Sequence, residues 1–278
     1  MTERPDSAKL DLLPPTSGEP PVDRRTEFEE RGKKNLRHKK AKGAFAARPT
    51  DRRLRGTAGF GIYYRPAFMN DWSMATSLQW DCLCPEFVGG NVTRDLYITA
   101  MNRAAKGAEA LIWYNGQSQV EFWIFDWAQA LPWQGCLTFA QLADYRFQSD
   151  QPHPGYEVIR ILNTTAQTGP DQWTNQVCLL NIGLNQWEQM YSYVYGATLA
   201  EQQSGAQGYW GPTVETFEAN YHGTQPLGAL GTQLCRRDGV GPWSPWQQLG
   251  PADSYVEDAH VGFGPIFLDA NYAWAVQS

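Results

Sequence analysis

From Gly59 to the C-terminus the apolar residues recur at every second position, not at every third or fourth. A period of two sends successive side chains to opposite faces of an extended strand, so this stretch is committed to sheets. Its clearest segment is a hairpin. Ala110-Leu-Ile-Trp-Tyr114 and Gln117-Ser-Gln-Val-Glu-Phe-Trp-Ile-Phe125 flank Asn115-Gly116, the dipeptide best suited to a two-residue turn with positive φ. A second hairpin is predicted from Trp173–Leu180 and Trp187–Tyr195 around Asn181–Asn185. Further strands are predicted at 59–64, 94–101, 155–163, 210–222, 228–236, 255–268 and 271–277; only 137–146 carries a short helical pattern. Many antiparallel strands without a repeat period imply an all-β fold: a two-sheet antiparallel β-sandwich or jelly roll of concanavalin-like size.

The chain changes character near residue 57. Residues 1–57 hold 15 of the 23 Lys and Arg but only two aromatics, Phe28 and Phe45. Such a segment cannot bury enough apolar surface to offset the entropy of ordering it. The expected division is a charged N-terminal arm, 1–57, disordered or ordered only on a partner, and a single sandwich domain, 58–278. Removing the arm should then leave thermal stability nearly unchanged. Residues 31–57 carry eleven basic residues and one acid, whereas 58–278 carry eight basic and twenty acidic residues. The body's field therefore repels nucleic acid, and only the arm suits an anionic partner or a transport or packaging component.

Several classes are disfavoured. The first 30 residues lack an apolar h-region, and no stretch approaches the 18 apolar residues of a membrane span. Five cysteines without regular spacing do not form a disulfide framework. No Gly-x-Ser-x-Gly, His-Glu-x-x-His, phosphate loop or dinucleotide fingerprint occurs. No cofactor is expected; the one constellation that suits a calcium ion is Glu257, Asp258, His260 and Asp269. Cys82 and Cys84 share a strand face, but no second pair completes a zinc set.

The strand faces carry the functional reading. A two-residue turn pairs Tyr114 with Gln117, Ile112 with Gln119 and Ala110 with Glu121. One face then bears Tyr114, Gln117, Gln119, Glu121 and Trp123, and the other bears Leu111, Trp113, Phe122 and Ile124. In the second hairpin, Trp187, Gln189, Tyr191, Tyr193 and Tyr195 fall on one side. Flat rings stack on sugar C–H faces, while amides and carboxylates take the hydroxyls. Tyr114, Gln117, Gln119, Trp123, Trp187, Tyr191 and Tyr193 are thus the candidate ligand-binding residues, with a glycan or polysaccharide as partner. The bland reading of the same rows is core, or a loop-covered sheet face.

A glycan-cleaving enzyme needs two carboxyls across the scissile bond. Glu121 is the first candidate, and Glu215 or Glu218 the second. Period two sets Glu215 beside Phe217 and Tyr221, and Glu218 on the opposite face. Ser118-Gln-Val-Glu-Phe-Trp-Ile-Phe-Asp126 resembles, over nine residues, the nucleophile signature of the jelly-roll xylanases of glycoside hydrolase family eleven. The resemblance implies a nucleophile role for Glu121. Phe122 and Trp123 stand where that family has two tyrosines, and its second glutamate motif has no counterpart here. Three readings follow: a lectin-like carbohydrate binder, a glycoside hydrolase on the same scaffold, and a capsid-like assembly subunit with a basic arm.

Overall fold

In the computed structural model, the described residues are 21–41, 57–64, 75–84, 93–101, 104, 106–115, 119–148 and 157–204, plus six C-terminal strands. Side chains are described for 21–35, 104, 106–112, 120–146, 159–202 and 204. The elements are β1 (Val22–Asp23), α1 (Arg25–Ala41), β2 (Thr57–Tyr64), β3 (Ala75–Cys84), β4 (Thr93–Met101), β5 (Gly107–Asn115), β6 (Gln119–Asp126) and β7 (Trp133–Thr138). They continue with β8 (Arg146–Gln148), β9 (Glu157–Gly169), β10 (Gln172–Asn181), β11 (Gln186–Gly196), α2 (Leu199–Gln203), β12 (Trp210–Phe217) and β13 (Ala229–Asp238). The last four are β14 (Gln247–Gln248), β15 (Ser254–Glu257), β16 (Gly264–Asp269) and β17 (Ala273–Gln277).

The strands build two sheets, so the chain is an all-β sandwich. A ten-stranded sheet runs β1-β11-β10-β9-β3-β13-β17-β16, with β14 on β13 and β8 on β9. A seven-stranded sheet runs β15-β2-β12-β4-β5-β6-β7. All pairs are antiparallel except the short β1–β11 pair. Among the described residues no helix is long and apolar enough to cross a membrane.

Alternation decides which faces meet. Ala110, Ile112, Phe122 and Ile124 of the smaller sheet are fully buried, as are Ile159, Ile161, Val177 and Leu179 of the larger. Asn175 Nδ2 donates to Asp126 Oδ1 across 2.9 Å and Asn163 Nδ2 to the Ala108 carbonyl across 2.8 Å, so these are the two inner faces. The 13-residue β9 and its ten-residue partners β3 and β10 give the larger sheet its length. Strand β3 is absent from the sequence-based reading, although Leu78, Trp80 and Cys82 alternate with Ser77, Gln79 and Asp81. The 137–146 pattern forms a 3-10 turn, Phe139–Leu142.

Val22–Ala41, part of the arm expected to be disordered or ordered only on a partner, forms a strand and a helix against the sandwich. The partner that orders this segment is the body itself. Phe28, Gly32 and Asn35, at helical spacing, face the sheet edge; the Phe28 ring is 2% exposed. A Cβ on Gly135 of β7 would lie 2.8 Å from Phe28 Cε1, and one on Gly32 would lie 3.1 Å from Gly135 Cα. Two glycines therefore let helix and strand meet backbone to backbone. Asn35 Nδ2 donates to the Cys136 carbonyl (2.8 Å) and to Gln141 Oε1 (3.0 Å). At the other end the buried Glu188 carboxylate accepts from Tyr145 Oη (2.6 Å) and Asn181 Nδ2 (3.2 Å) and pairs with Arg24 at 3.2 Å. Helix α1 thus bridges β7, the edge of the smaller sheet, and β11, which lies next to the short edge strand β1 of the larger. Composition missed this because one phenylalanine and one glycine in a charged segment, Phe28 and Gly32, suffice when the receiving edge with Gly135 is already built.

Candidate functional site at the tyrosine rim

The second hairpin pairs Val177 with Tyr191, Asn175 with Tyr193 and Trp173 with Tyr195. Paired residues share a face, so the three tyrosines stand on the inner face with Asn175. One step further the register shifts: Val177 pairs with Tyr191 but Cys178 with Gln189. Met190 is the extra residue of a β-bulge, and a bulge reverses the alternation beyond it. Trp187 therefore does not continue the tyrosine row. It packs with Leu162 and Cys178 on the outer face of the larger sheet. The expected five-residue row is corrected to three.

At the end of β6, Asp126 lies beneath this row, with no exposed surface. Its Oδ1 accepts from Asn175 Nδ2 (2.9 Å) and the Ala128 amide (2.7 Å), and its Oδ2 from Tyr191 Oη (2.7 Å). Burial raises the Asp126 pKa above the ordinary carboxyl value, outweighing the three donors and the attraction of Lys106. Burial and the adjacent carboxylate hold the Tyr191 phenol protonated well above its usual range. Gln129 Nε2 donates to the same Tyr191 oxygen across 2.5 Å, and Thr165 Oγ1 donates to Asn175 Oδ1 across 3.1 Å. Asn175 and Asp126 thus fix Tyr191, and Tyr191 fixes Gln129, which reaches the partly exposed rim.

Beyond Tyr191 the rings become accessible. Tyr193 and Tyr195 are half-buried, with centroids 6.2 Å apart and planes within 14°. Tyr195 Oη donates to Gln202 Oε1 across 3.0 Å, which ties the row to α2. The rim offers two parallel rings beside fixed amides. Tyr191 and Tyr193 were legible as candidates; Asp126, Gln129 and Asn175 were not, because their meeting is a tertiary event.

The first hairpin is placed differently from expectation. Asn115 pairs with Gln119, Tyr114 with Val120 and Trp113 with Glu121, so three residues separate the strands rather than two. An odd slip reverses the face of every β5 side chain relative to β6. Leu111 and Trp113 join Glu121 and Trp123, and Ile112 joins Phe122. Glu121 and Trp123 are each only 7% exposed, and Trp123 Nε1 donates to Glu121 Oε2 across 2.9 Å. Trp123, Phe125 and Trp127 form a ring ladder with interplanar angles of 17° and 16°, closed by Trp133. This face is packed rather than open, and Trp123 is withdrawn as a sugar platform. The side chains of Tyr114, Gln119, Glu215, Glu257 and Asp269, and the whole of Gln117, Glu218, Asp258 and His260, lie outside what is described, so the suggested calcium set does too. Among the described residues no group of His, Cys, Asp and Glu could hold a metal.

One alignment on that face bears on the paired-carboxylate reading. Glu121 pairs with Trp113, Trp113 with Asp95, and Asp95 with Glu215. Three acidic positions, 121, 95 and 215, therefore occupy one row across four strands, on the sheet face opposite Phe122 and Ile124.

No family model and no curated protein sequence matches the chain. Three solved structures are similar in outline. Scytalido-glutamic peptidase with a peptide-based transition state analog gives a TM-score of 0.35 at 10% identity, covering 78% of this chain and 96% of that one. SCP-B, a member of the Eqolisin family of peptidases, in complex with the tripeptide Ala-Ile-His, gives 0.37 at 11%, covering 79% and 96%. The CBM40 of the Ruminococcus gnavus IT-sialidase bound to α2,6 sialyllactose gives 0.21 at 9%, covering 58% and 87%. At these scores and identities the likenesses say nothing about the chemistry of this chain.

Proposed function

We propose that this chain is a carbohydrate-recognising β-sandwich protein that binds glycan at the tyrosine rim. The supporting observation is the half-exposed parallel pair Tyr193 and Tyr195 beside Gln129 and Tyr191, which the buried Asp126 holds in place. Rings at this spacing take successive pyranose faces, and the Gln129 amide and Tyr191 oxygen take hydroxyls. Preformed hydrogen-bonding groups lower the ordering cost of binding. The test is a glycan array on the full chain, then calorimetry with the best-retained oligosaccharide. Each ring contributes about 1 kcal/mol, so Tyr193→Ala with Tyr195→Ala is expected to weaken binding by about 30-fold. Thermal stability should change little, because both rings are partly solvated. An array without retained glycan, or a double variant that binds like the parent, would refute the assignment.

A second reading, a glycan-cleaving hydrolase, has one observation in its favour: the directly paired acidic positions 95 and 215. Acids directly paired across antiparallel strands repel one another, and one of such a pair stays protonated more readily. That is the division of labour between a general acid and a carboxylate partner. Glu215 pairs directly with Asp95, whereas Glu121 stands three strands from Glu215, roughly 14 Å and beyond the roughly 5–9.5 Å that a working carboxyl pair needs. Release of reducing ends from soluble polysaccharides checks it. A hydrolase working through this pair should lose all measurable turnover on Glu215→Gln and on Asp95→Asn, and keep it on Glu121→Gln. Absence of reducing ends with the parent chain leaves the binder alone.

A further inference from the structure

We propose that the outward side of the docked helix α1 is a binding surface for a nucleic-acid phosphate backbone. Phe28, Gly32 and Asn35 fix which side of α1 meets the sandwich. With 100° per residue, the opposite side holds positions 30, 33, 34, 37 and 40: Glu30, Lys33, Lys34, Arg37 and Lys40. Charge is segregated along the helix. Its first half carries Glu27, Glu29 and Glu30, and its second half carries no acid. Glu27 and Glu29 are occupied by Arg31 at 2.5 Å and Lys33 at 3.1 Å. Lys34 is exposed and has no ion pair among the described residues. Positions 34, 37 and 40, occupied by Lys, Arg and Lys, then fall on one side of a segment that is already helical. That row needs no folding on binding.

The chemistry favours phosphates over a bilayer. A helix that lies in a membrane interface needs an apolar side. Here Phe28 is turned into the sandwich, and Leu36 is the only other large apolar residue of α1. Duplex DNA presents one negative charge per about 1.7 Å of axis. A row from Lys34 to Lys40 rises about 9 Å along the helix, enough to meet several phosphates. The acidic body, with eight basic and twenty acidic residues over 58–278, confines the contact to this ridge.

The experiment is fluorescence anisotropy of a labelled 20-base-pair duplex with the full chain. Three phosphate contacts predict an affinity loss of about 40-fold between 50 and 200 mM salt. The variant Lys34→Ala, Arg37→Ala, Lys40→Ala should lower the slope of log K against log salt by about 2.7. It should melt like the parent, since none of the three lies on the docked side; its melting curve separates lost charge from lost fold. Unchanged affinity and slope in a folded variant would overturn the proposal. So would retention on vesicles of about three parts phosphatidylcholine to one of phosphatidylserine without binding to the duplex.

Discussion

Replacing Phe28 with Ala is expected to destabilise the protein by about 3–5 kcal/mol, the usual cost of emptying a buried aromatic site. The ring is 2% exposed and fills the angle between α1 and β7 at Gly135. The loss should spread beyond the ring. Undocking α1 exposes the Cys136 carbonyl and Gln141, which Asn35 satisfies. It also leaves Glu188, buried and bonded to Tyr145 and Asn181, without Arg24. A buried carboxylate stripped of its cation is among the costliest single defects. Gly135→Ala should act in the same direction from the opposite surface, since its Cβ would meet the rigid Phe28 ring at 2.8 Å. The two are in contact, so their effects should be less than additive. Chemical denaturation of each variant, with hydrogen exchange over 25–35, measures this. A Phe28→Ala protein that melts like the parent would mean that α1 is dispensable. The sequence alone implied that dispensability for the whole of 1–57; the packing of Phe28 and Asn35 predicts the opposite for the segment Val22–Asn35.

The sandwich was legible because period two is local: it follows from alternation within one strand, and both hairpins form over the segments that alternation marks. What the sequence left open depends on counting between strands. Asn115-Gly116 suggests a two-residue loop, but Asn115 pairs with Gln119. That slip of three positions in the pairing sum exchanges Ile112 for Leu111 and Trp113 beside Glu121. Met190 acts similarly, since one extra residue sends Trp187 away from Tyr191. Neither residue carries a signal that separates a bulge from regular strand. Asp126 stands five positions from Glu121, an odd separation that places it on the opposite strand face. Its role was hidden, because the groups that hold it, Asn175 and Tyr191, lie 49 and 65 residues away.

Asp126→Ala should cost about 3–5 kcal/mol and disable the tyrosine rim together. The carboxylate accepts from Asn175 Nδ2, Tyr191 Oη and the Ala128 amide, and removing it orphans three donors in a site with little water. Each orphaned donor costs about 1–3 kcal/mol, and the relief of a desolvated charge offsets part of the sum. Asp126→Asn keeps the shape and an acceptor for Asn175 and Ala128 but turns an amide toward Tyr191, so it should cost less, about 1–2 kcal/mol near pH 5. The pair of variants also fixes the sign of the pH dependence. Burial raises the Asp126 pKa in the folded state above its ordinary value of 3.8. The stabilising difference is therefore complete below pH 3.8 and is lost as pH rises through the folded pKa. Relative to Asp126→Asn, which does not titrate there, the parent should become progressively less stable from mildly acidic to neutral pH. Denaturation midpoints of parent and Asn variant at several pH values test this directly. A stability gap that stays constant with pH, or widens in the parent's favour toward neutrality, would show that the three donors outweigh burial. Tyr191 and Gln129 would then be held by a permanently ionised carboxylate.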